Sequence, residues 1–428
     1  MGDTIAAVAT APGRGGVAIV RVSGPDAHSV AERLTGRSVD PGRVSLRKVR
    51  APDGGHVVDE AVVVAFAAPR SYTGEDIVEF QCHGGVVTPR RVLEACYSAG
   101  ARPARRGEFT ERAFLNGRLD YAQAESVLNL VDAKTSRAAD SALDGLSGCR
   151  RREAREIYDC AVSLSATLEH ALDVDEGDLG VAFYAKVRGE AVALDKRIAD
   201  ALRRAKEGRI LRDGALVALA GAPNAGKSSL LNALLGESRA IVSDVPGTTR
   251  DSIEAWIDLD GWPLRLVDTA GLRATDDEIE LEGVRRAESL IARADVVLAL
   301  DCMPRRAEGR VIALHAKCDL GRGEGLNVSS KTGEGLHALK RAIVERLESL
   351  AVEAADSADA PEGEEVICAF AAARSLLKDF IAAGDGPFDI VIFANAVRSV
   401  AERLGEAVGA AYSTDMLERL FSRFCVGK

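Results

Sequence analysis

Residues 221–228 read GAPNAGKS, a match to the spacing GxxxxGK[ST]. That spacing suits one chemistry. Gly221 and Gly226 let backbone N–H groups curl round a phosphate, and the N-terminus of a following helix faces the anion. Lys227 neutralises phosphate charge, and Ser228 offers its hydroxyl to Mg²⁺. Asn224, Ala225 and Ser229 complete the loop. Further segments follow in order. GTTRD (247–251) carries Thr249, a candidate second Mg²⁺ ligand. LRLVDTAG (264–271) is an apolar strand ending in Asp268, which would hold Mg²⁺ through water, and Gly271, whose N–H would meet a γ-phosphate. AKCD (316–319) follows another apolar run. Asp319 can accept both N1–H and N2–H of guanine, a donor pair that adenine lacks. Lys317 stands beside it, and Ser329 and Ser330 of SSK (329–331) would close the base pocket. Taken alone, 221–228 could be a glycine-rich turn and Asp319 a surface carboxylate. The ordered set favours a site for GTP and Mg²⁺.

Two departures from the usual pattern carry information. Leu272 follows DTAG where many signalling GTPases have a water-orienting glutamine. Leucine has no acceptor, so one of Asp276, Asp277, Glu278, Glu280 or Glu282 is needed, the rest forming a solvated acidic face. Ala316 stands where the guanine motif NKxD has asparagine. Losing one buried hydrogen bond weakens binding by ~1–3 kcal/mol. The expectation is lower GTP affinity with guanine choice preserved by Asp319.

These residues need elements to hold them. ALVALAG (215–221) reads as a strand feeding the phosphate loop, LLNALLG as a helix leaving it, and β/α alternation runs to about residue 350. Residues 1–117 read as α+β, with strands VAIVRVSG (17–24), EAVVVAFAA (60–68) and DIVEFQCHGG (76–85) between Gly- and Pro-rich turns. From Leu119 to about Gly208 apolar residues recur at helical spacing. AVEAADSADAPEGEEV (351–366) reads as a linker. Beyond it Leu417, Leu420, Phe421 and Phe424 form a helical stripe, with Ser413 or Thr414 as N-cap candidates. The expected architecture is multidomain α/β: residues 1–117 as an N-terminal domain, 118–211 and 351–428 as two halves of a helical domain, and 212–350 as an inserted P-loop domain.

The chain has 428 residues, 47% of them hydrophobic, and a formal charge of -10. That length allows two or three domains. An acidic chain is a poor stand-alone binder of polyanions, so a nucleic-acid role calls for a local basic patch or a partner's surface. The eight cysteines include no CxxC pair, which argues against a zinc site and gives no support for a disulfide framework. No apolar run reaches the ~20 residues of a membrane span, and the start lacks a signal-peptide pattern. The expected setting is reduced, soluble and cytoplasmic.

In combination the segments DTIAAVATAPGRGGVAIVRVSG, SYTGEDIVEFQCHGG, RRGEFTERAFLNGRLDYAQAE, GAPNAGKSSLLNALLG, VPGTTRD, DTAGLR and the terminal FCVGK resemble the MnmE (TrmE) family of tRNA-modification GTPases over almost the whole chain. The resemblance implies a folate-binding-like N-terminal domain that mediates dimerisation, a discontinuous helical domain and a GTPase domain inserted in it. It implies that Arg21, Glu79, Arg118 and Lys428 bind a reduced folate, 5-formyl- or 5,10-methylene-tetrahydrofolate. It implies K⁺ held by Asn224, Ser243, Val245 and Thr248, and a catalytic Glu280 that orients the attacking water. The stretch between Asp301 and Ala316 is short for the family. The implied partners are a second copy of the chain, an MnmG (GidA)-like FAD protein forming a heterotetramer, and tRNA held through that complex.

Cys425 is the one remaining nucleophile of interest. CVGK fails as a prenylation box, because Gly427 is not aliphatic and Lys428 is not a usual final residue. The neighbouring stripe favours a packed thiol. The resemblance instead places it near the folate, where a thiolate could add to C6 of a uridine and make C5 nucleophilic. The implied function is K⁺-stimulated GTP hydrolysis coupled to addition of a carboxymethylaminomethyl-type group at C5 of a wobble uridine. The alternative is a non-catalytic assembly GTPase, as in ribosome maturation. It shares the motifs of 221–331 but explains neither the N-terminal domain nor FCVGK.

Overall fold

The computed structural model describes residues 2–52, 55–173, 179–237, 239–240, 254–268, 285, 288–302, 309–356, 365–382, 388–409 and 414–428. Two compact units emerge, Met1–Leu128 with Ala411–Lys428, and Asn129–Ala410.

The first unit is built on a six-stranded sheet. Its strands are β1 (Ile5–Val8), β2 (Val17–Ser23), β3 (Val44–Arg50), β4 (Val57–Phe66), β5 (Ile77–His83) and β6 (Arg102–Pro103). They lie in the order β3-β4-β5-β2-β1-β6. All pair antiparallel except β1 with β6. Side chains alternate between the two faces of a strand. Val20, Val22, Val63, Val78 and Phe80 fill one face and pack with Val30, Leu34 and Val92 of helices α1 (Ala27–Thr35) and α2 (Val87–Ser98). The opposite face carries the row Val44, Val64, Glu79, Arg21 and Ala7, register partners across five strands. At its β1 end this face has a small cluster of Ile5, Ala7, Ala104 and Phe109, the last from α3 (Glu108–Leu115).

Helix α4 (Tyr121–Asp132) and the last helix, Thr414–Ser422, complete this unit through Ala124, Leu128, Leu420, Phe421 and Phe424. The expected stripe at Leu417–Phe424 is therefore a core. Its partners, however, are Phe114 and α4 rather than the long helices. Ser413 lies outside the described residues, and Thr414 is the first residue of the helix.

The helical stretch read from Leu119 resolves into α4, most of which belongs to the first unit, and then α5 (Ser136–Leu146), α6 (Cys149–Leu172) and α7 (Val181–Asp213) of the second. On α6 the buried residues Ile157, Ala161, Leu164 and Leu168 repeat at the four-three spacing of a bundle seam, as do Val187, Ala191, Leu194 and Ile198 on α7. They pack with Phe393, Val397 and Leu404 of Ile390–Gly409 and with Phe370 and Leu377 of Glu365–Ile381. The linker expected over 351–366 is shorter than its composition suggests. Helix Leu336–Asp356 runs into it and Glu365 opens the next helix. Alanine and glutamate are strong helix formers, which explains the extension.

Between α7 and Leu336 lies a second sheet of strands β7 (Ala215–Gly221), β8 (Arg239–Ala240), β9 (Glu254–Leu259), β10 (Trp262–Asp268), β11 (Val296–Leu300), β12 (Val311–Ala316) and β13 (Leu326–Val328). Their order is β13-β12-β11-β7-β10-β9-β8. The five strands from β13 to β10 are parallel. All seven residues of β7 except Gly221 are buried, as a central parallel strand requires.

Candidate functional site

The phosphate loop leaves the C-terminal end of central β7 and enters α8 (Lys227–Glu237). In doubly wound sheets ligands bind at such strand ends. Gly221 has no room for a side chain, since a Cβ there would lie 2.9 Å from the Leu300 carbonyl oxygen. Asn224 and Gly226 take left-handed φ of 63° and 100°, which turns the chain over the start of α8. Lys227 is 6% exposed and its Nζ donates to the carbonyls of Gly221 and Ala222, each at 2.8 Å. A buried ammonium bonded to backbone oxygens at a helix N-terminus is a ready counter-charge for phosphate.

Strand β10 runs parallel beside β7 and delivers Asp268, 1% exposed, opposite Leu219. Its Oδ2 accepts from Ser228 Oγ at 2.6 Å. The donor set of one hydroxyl and one buried carboxylate suits a hard divalent cation such as Mg²⁺. Ala225 is half-buried and Ser229 exposed along the same loop.

The expected base-binding segment follows β12. Lys317 has φ 59°, and its Nζ crosses to the Asn224 carbonyl at 2.8 Å. Asp319 Oδ1 accepts from Ser329 Oγ at 2.7 Å. That bond, with help from the Lys331 and Lys317 charges, lowers the Asp319 carboxyl below its usual range. Ser329 is buried and Ser330 half-buried, so 329–330 do flank Asp319. Ala316 presents only a methyl group here. The structure thus brings Asn224, Ala225, Gly226, Lys227, Ser228, Ser229, Asp268, Lys317, Asp319, Ser329 and Ser330 to one edge of the sheet. Ser243, Val245, Thr248, Thr249, Gly271 and Glu280 lie outside the described residues.

In the first unit Arg21 on β2 and Glu79 on β5 are register partners and form an ion pair, Nε to Oε1, of 2.8 Å. The Arg21 guanidinium also sits 5.5 Å from the Tyr72 ring centroid and 5.7 Å from that of Phe109. Tyr72 Oη shares a 2.8 Å hydrogen bond with Thr110 Oγ1, and burial raises its phenol above the ordinary value. Arg118 donates from Nε to the carbonyl of Ser71, next to Tyr72, at 3.0 Å. Sequence reasoning did not single out Tyr72 or Phe109. The only signal was their place inside SYTGED and GEFTER, and an aromatic residue there is equally suited to a core.

Beneath this face lies a buried ionic network. Arg112, 3% exposed, donates to Glu75 at 3.1 Å, to Asp3 at 2.8 Å and to Glu108 at 3.2 Å. Burial pushes the Glu108 carboxyl up. Bonds from Arg102, the Arg105 N–H and Arg112 outweigh that and hold it at about 2. Glu75 also accepts from Ser23 Oγ at 2.8 Å, so the network fixes the 71–76 loop to β2.

The chain's end docks against the 106–107 turn and the end of β1. Val426 bridges Arg106, and Gly107 N–H approaches the Cys425 carbonyl at 3.4 Å. Gly427, with φ 105°, lies so close to β1 that a Cβ would sit 2.1 Å from the Val8 carbonyl oxygen. Val8 adjoins Ala7, the register partner of Arg21. Cys425 itself is exposed. Phe421 and Phe424 supply the packing, so the buried-thiol alternative does not describe it.

Fold and sites define a class: a P-loop nucleotide-binding domain carried by a helical bundle, in a chain that opens with an α+β unit holding a second polar site. The family description "GTP-binding protein TrmE N-terminus" matches residues 4–118, and "MnmE helical domain" matches 121–425. The chain belongs to the MnmE (TrmE) family of tRNA-modification GTPases. It is 40% identical to a tRNA modification GTPase MnmE of Neisseria meningitidis serogroup C, over 99% of each chain. It is 39% identical to one of Geobacter metallireducens, over 100% of this chain and 99% of the other. Among solved structures, the G domain of the T. maritima FeoB iron transporter is 30% identical, covering 31% of this chain and 98% of that one, with a TM-score of 0.24.

Proposed function

We propose that this protein hydrolyses GTP and uses the resulting conformational change to drive modification of C5 in the wobble uridine of certain tRNAs. The product would be a carboxymethylaminomethyl-type group, made together with an MnmG-like FAD protein. The observation that carries the reading is the presence, in one chain of this family, of two separate polar sites. One is the Lys227–Ser228–Asp268 phosphate site and the other is the Arg21–Glu79 pair with Tyr72 and Phe109. A switch GTPase alone has no use for the second.

The chain's own residues divide the work. Lys227 neutralises the β- and γ-phosphates, and Asp319 reads the guanine edge. Ser228 and Thr249 would hold Mg²⁺, with Asp268 behind; the ion supplies charge neutralisation between the phosphates. Asn224, Ser243, Val245 and Thr248 would hold K⁺, which supplies the fixed positive charge that an arginine finger gives elsewhere. Glu280 would orient the attacking water. In the first unit, Arg21, Glu79, Arg118 and Lys428 would bind a reduced folate as one-carbon donor. Arg21 stacked on Tyr72 and Phe109 makes a flat, cationic edge suited to a pterin ring.

The apolar side chains on the same sheet face support a homodimer. Val44 is 64% and Leu46 65% exposed, and they adjoin half-buried Val64 and Val62. Exposed apolar patches of this kind mark contact surfaces. The net charge of -10 favours tRNA being held through the partner complex.

Mass spectrometry of wobble uridines tests the reading. A strain lacking this gene should lose the C5 group and regain it with the wild-type chain but not with Arg21→Ala. Unaltered uridines in the deletion strain would refute it.

A further inference from the structure

Ala316 raises a question that the fold answers in an unexpected place. The segment 317–319 lies between two fixed points, Ala316 at the end of β12 and Gly321. An asparagine at 316 could tie this segment down through its own amide, but alanine cannot. Both fixed points are instead held from outside the segment. Asp301, just beyond β11, has φ 50°, and its N–H donates to the Leu314 carbonyl at 2.9 Å. That turn aims its carboxylate along the end of β12. Oδ2 accepts the Ala316 N–H at 3.3 Å, and Oδ1 meets His315 Nδ1 at 2.6 Å. The other ring nitrogen of His315, Nε2, lies 3.0 Å from the Gly321 carbonyl. Gly323 closes against the same ring, for a Cβ at 323 would lie 2.4 Å from Nδ1.

We infer that Asp301 and His315 act as one positioning unit for the guanine-reading segment, doing from the strand ends what an asparagine at 316 would do from within. The inference rests on the reading of Asp319 as the base acceptor. One end of the unit holds the N–H of Ala316 and the other holds the carbonyl of Gly321. Lys317, which bridges to the phosphate loop, and Asp319, seated on Ser329, hang between them. Asp301 and His315 themselves need not touch the nucleotide. Losing either should let Asp319 swing away from the base edge while the buried parallel strands persist.

The test uses the full chain and fluorescent diphosphates of guanosine, adenosine and xanthosine, with affinity and dissociation rate both measured. Asp301→Ala and His315→Ala should each weaken guanine nucleotide binding about tenfold, chiefly by faster release, as expected when a charge-assisted bond is lost. The double variant should be no worse than either single one, because both remove the same unit. Ala316→Asn added to Asp301→Ala should restore most of the affinity, which a merely destabilised domain would not show. Wild-type affinity in both single variants, or a loss that Ala316→Asn does not recover, overturns the inference. Asp319→Asn isolates the underlying reading. It should move preference from guanosine to xanthosine diphosphate. If it does not, Asp319 is not the base acceptor and the inference falls with it. If it does, while Asp301→Ala binds normally, only the positioning role is refuted.

Discussion

Ser228 Oγ donates to Asp268 Oδ2 at 2.6 Å, joining the first turn of α8 to the end of β10. The contact is a consequence of sheet order. Strands β7 and β10 are parallel neighbours in register from Ala215 with Leu264 to Leu219 with Asp268, so their C-terminal ends open on one side. The phosphate loop leaving one strand and the carboxylate ending the next then start from adjacent points, and the turn at Asn224 and Gly226 brings Ser228 to the carboxylate.

That adjacency predicts distinct outcomes for two conservative changes. Ser228→Ala removes the hydroxyl and should lower GTP turnover by roughly 10²-fold, in line with losing one preorganised electrostatic group. Asp268→Asn keeps an acceptor for Ser228 but removes the charge, and should impair Mg²⁺-dependent turnover as severely. Steady-state hydrolysis over a Mg²⁺ titration measures both. A variant with normal turnover at low Mg²⁺ would exclude its residue from the metal site.

Lys227 is buried and donates to two carbonyl oxygens, so its part in nucleotide binding can be probed apart from its packing. Lys227→Met removes the charge while keeping the stem. Nucleotide binding should fall by at least ~10²-fold, since hydrogen bonds to charged groups are worth ~1.5–3 kcal/mol each. Thermal stability without nucleotide should change little, because methionine keeps the apolar stem and removes the cost of burying a charge. Equilibrium titration beside a melting curve checks the pair of outcomes.

Much of this framework was legible in the chain itself. Strands β2, β4, β5 and β7 declare themselves by period-two or continuous apolar runs, and the phosphate loop by glycine spacing. What was not legible depends on partners far apart in sequence. Helix α4 comes soon after the first sheet, past α3, yet packs with a helix almost three hundred residues later, and hydrophobic periodicity is silent on which apolar face meets which. Arg112 shows as an exposed-type residue in sequence; only folding brings Asp3, Glu75 and Glu108 around it. The Asp301–His315 unit is invisible for the same reason. It spans two strand ends that only parallel pairing of β11 with β12 makes neighbours.

The buried network predicts an acid limit to stability. The Glu108 carboxyl stands at about 2, below its ordinary value of 4.5. A lowered carboxyl contributes stability that is full above the unfolded value and is lost as pH falls through the folded one. The difference amounts to ~3–4 kcal/mol, at ~1.4 kcal/mol per unit. The first unit should therefore weaken progressively between pH 4.5 and about 2. Glu108→Gln should lower the melting temperature at pH 7 and flatten that acid dependence. Arg112→Met should be worse, taking from Glu75 the cation that pairs with it, by ~3–5 kcal/mol. Melting curves from pH 7 to 3 decide it, and a wild-type profile in Glu108→Gln would show that the network contributes nothing to acid sensitivity.

The open sheet face makes the last prediction, about assembly. Val44 and Leu46 on edge strand β3 stand out to solvent beside Val62 and Val64, in the same rows as Gln81 and Glu79. If a second copy covers this face, Leu46→Lys places a charge in a dry contact, whereas on a free surface it is harmless. The variant should shift the protein from dimer to monomer in light scattering at micromolar concentration while keeping its melting temperature within a few degrees. Because Glu79 occupies the Val44–Val64 row, covering the face would also enclose the Arg21–Glu79 pair. Folate affinity should then fall with dimerisation, and Lys48→Ala, a trimmed charge on the same strand, should leave both intact. A Leu46→Lys protein that stays dimeric would place the contact elsewhere and leave the folate site to one protomer alone.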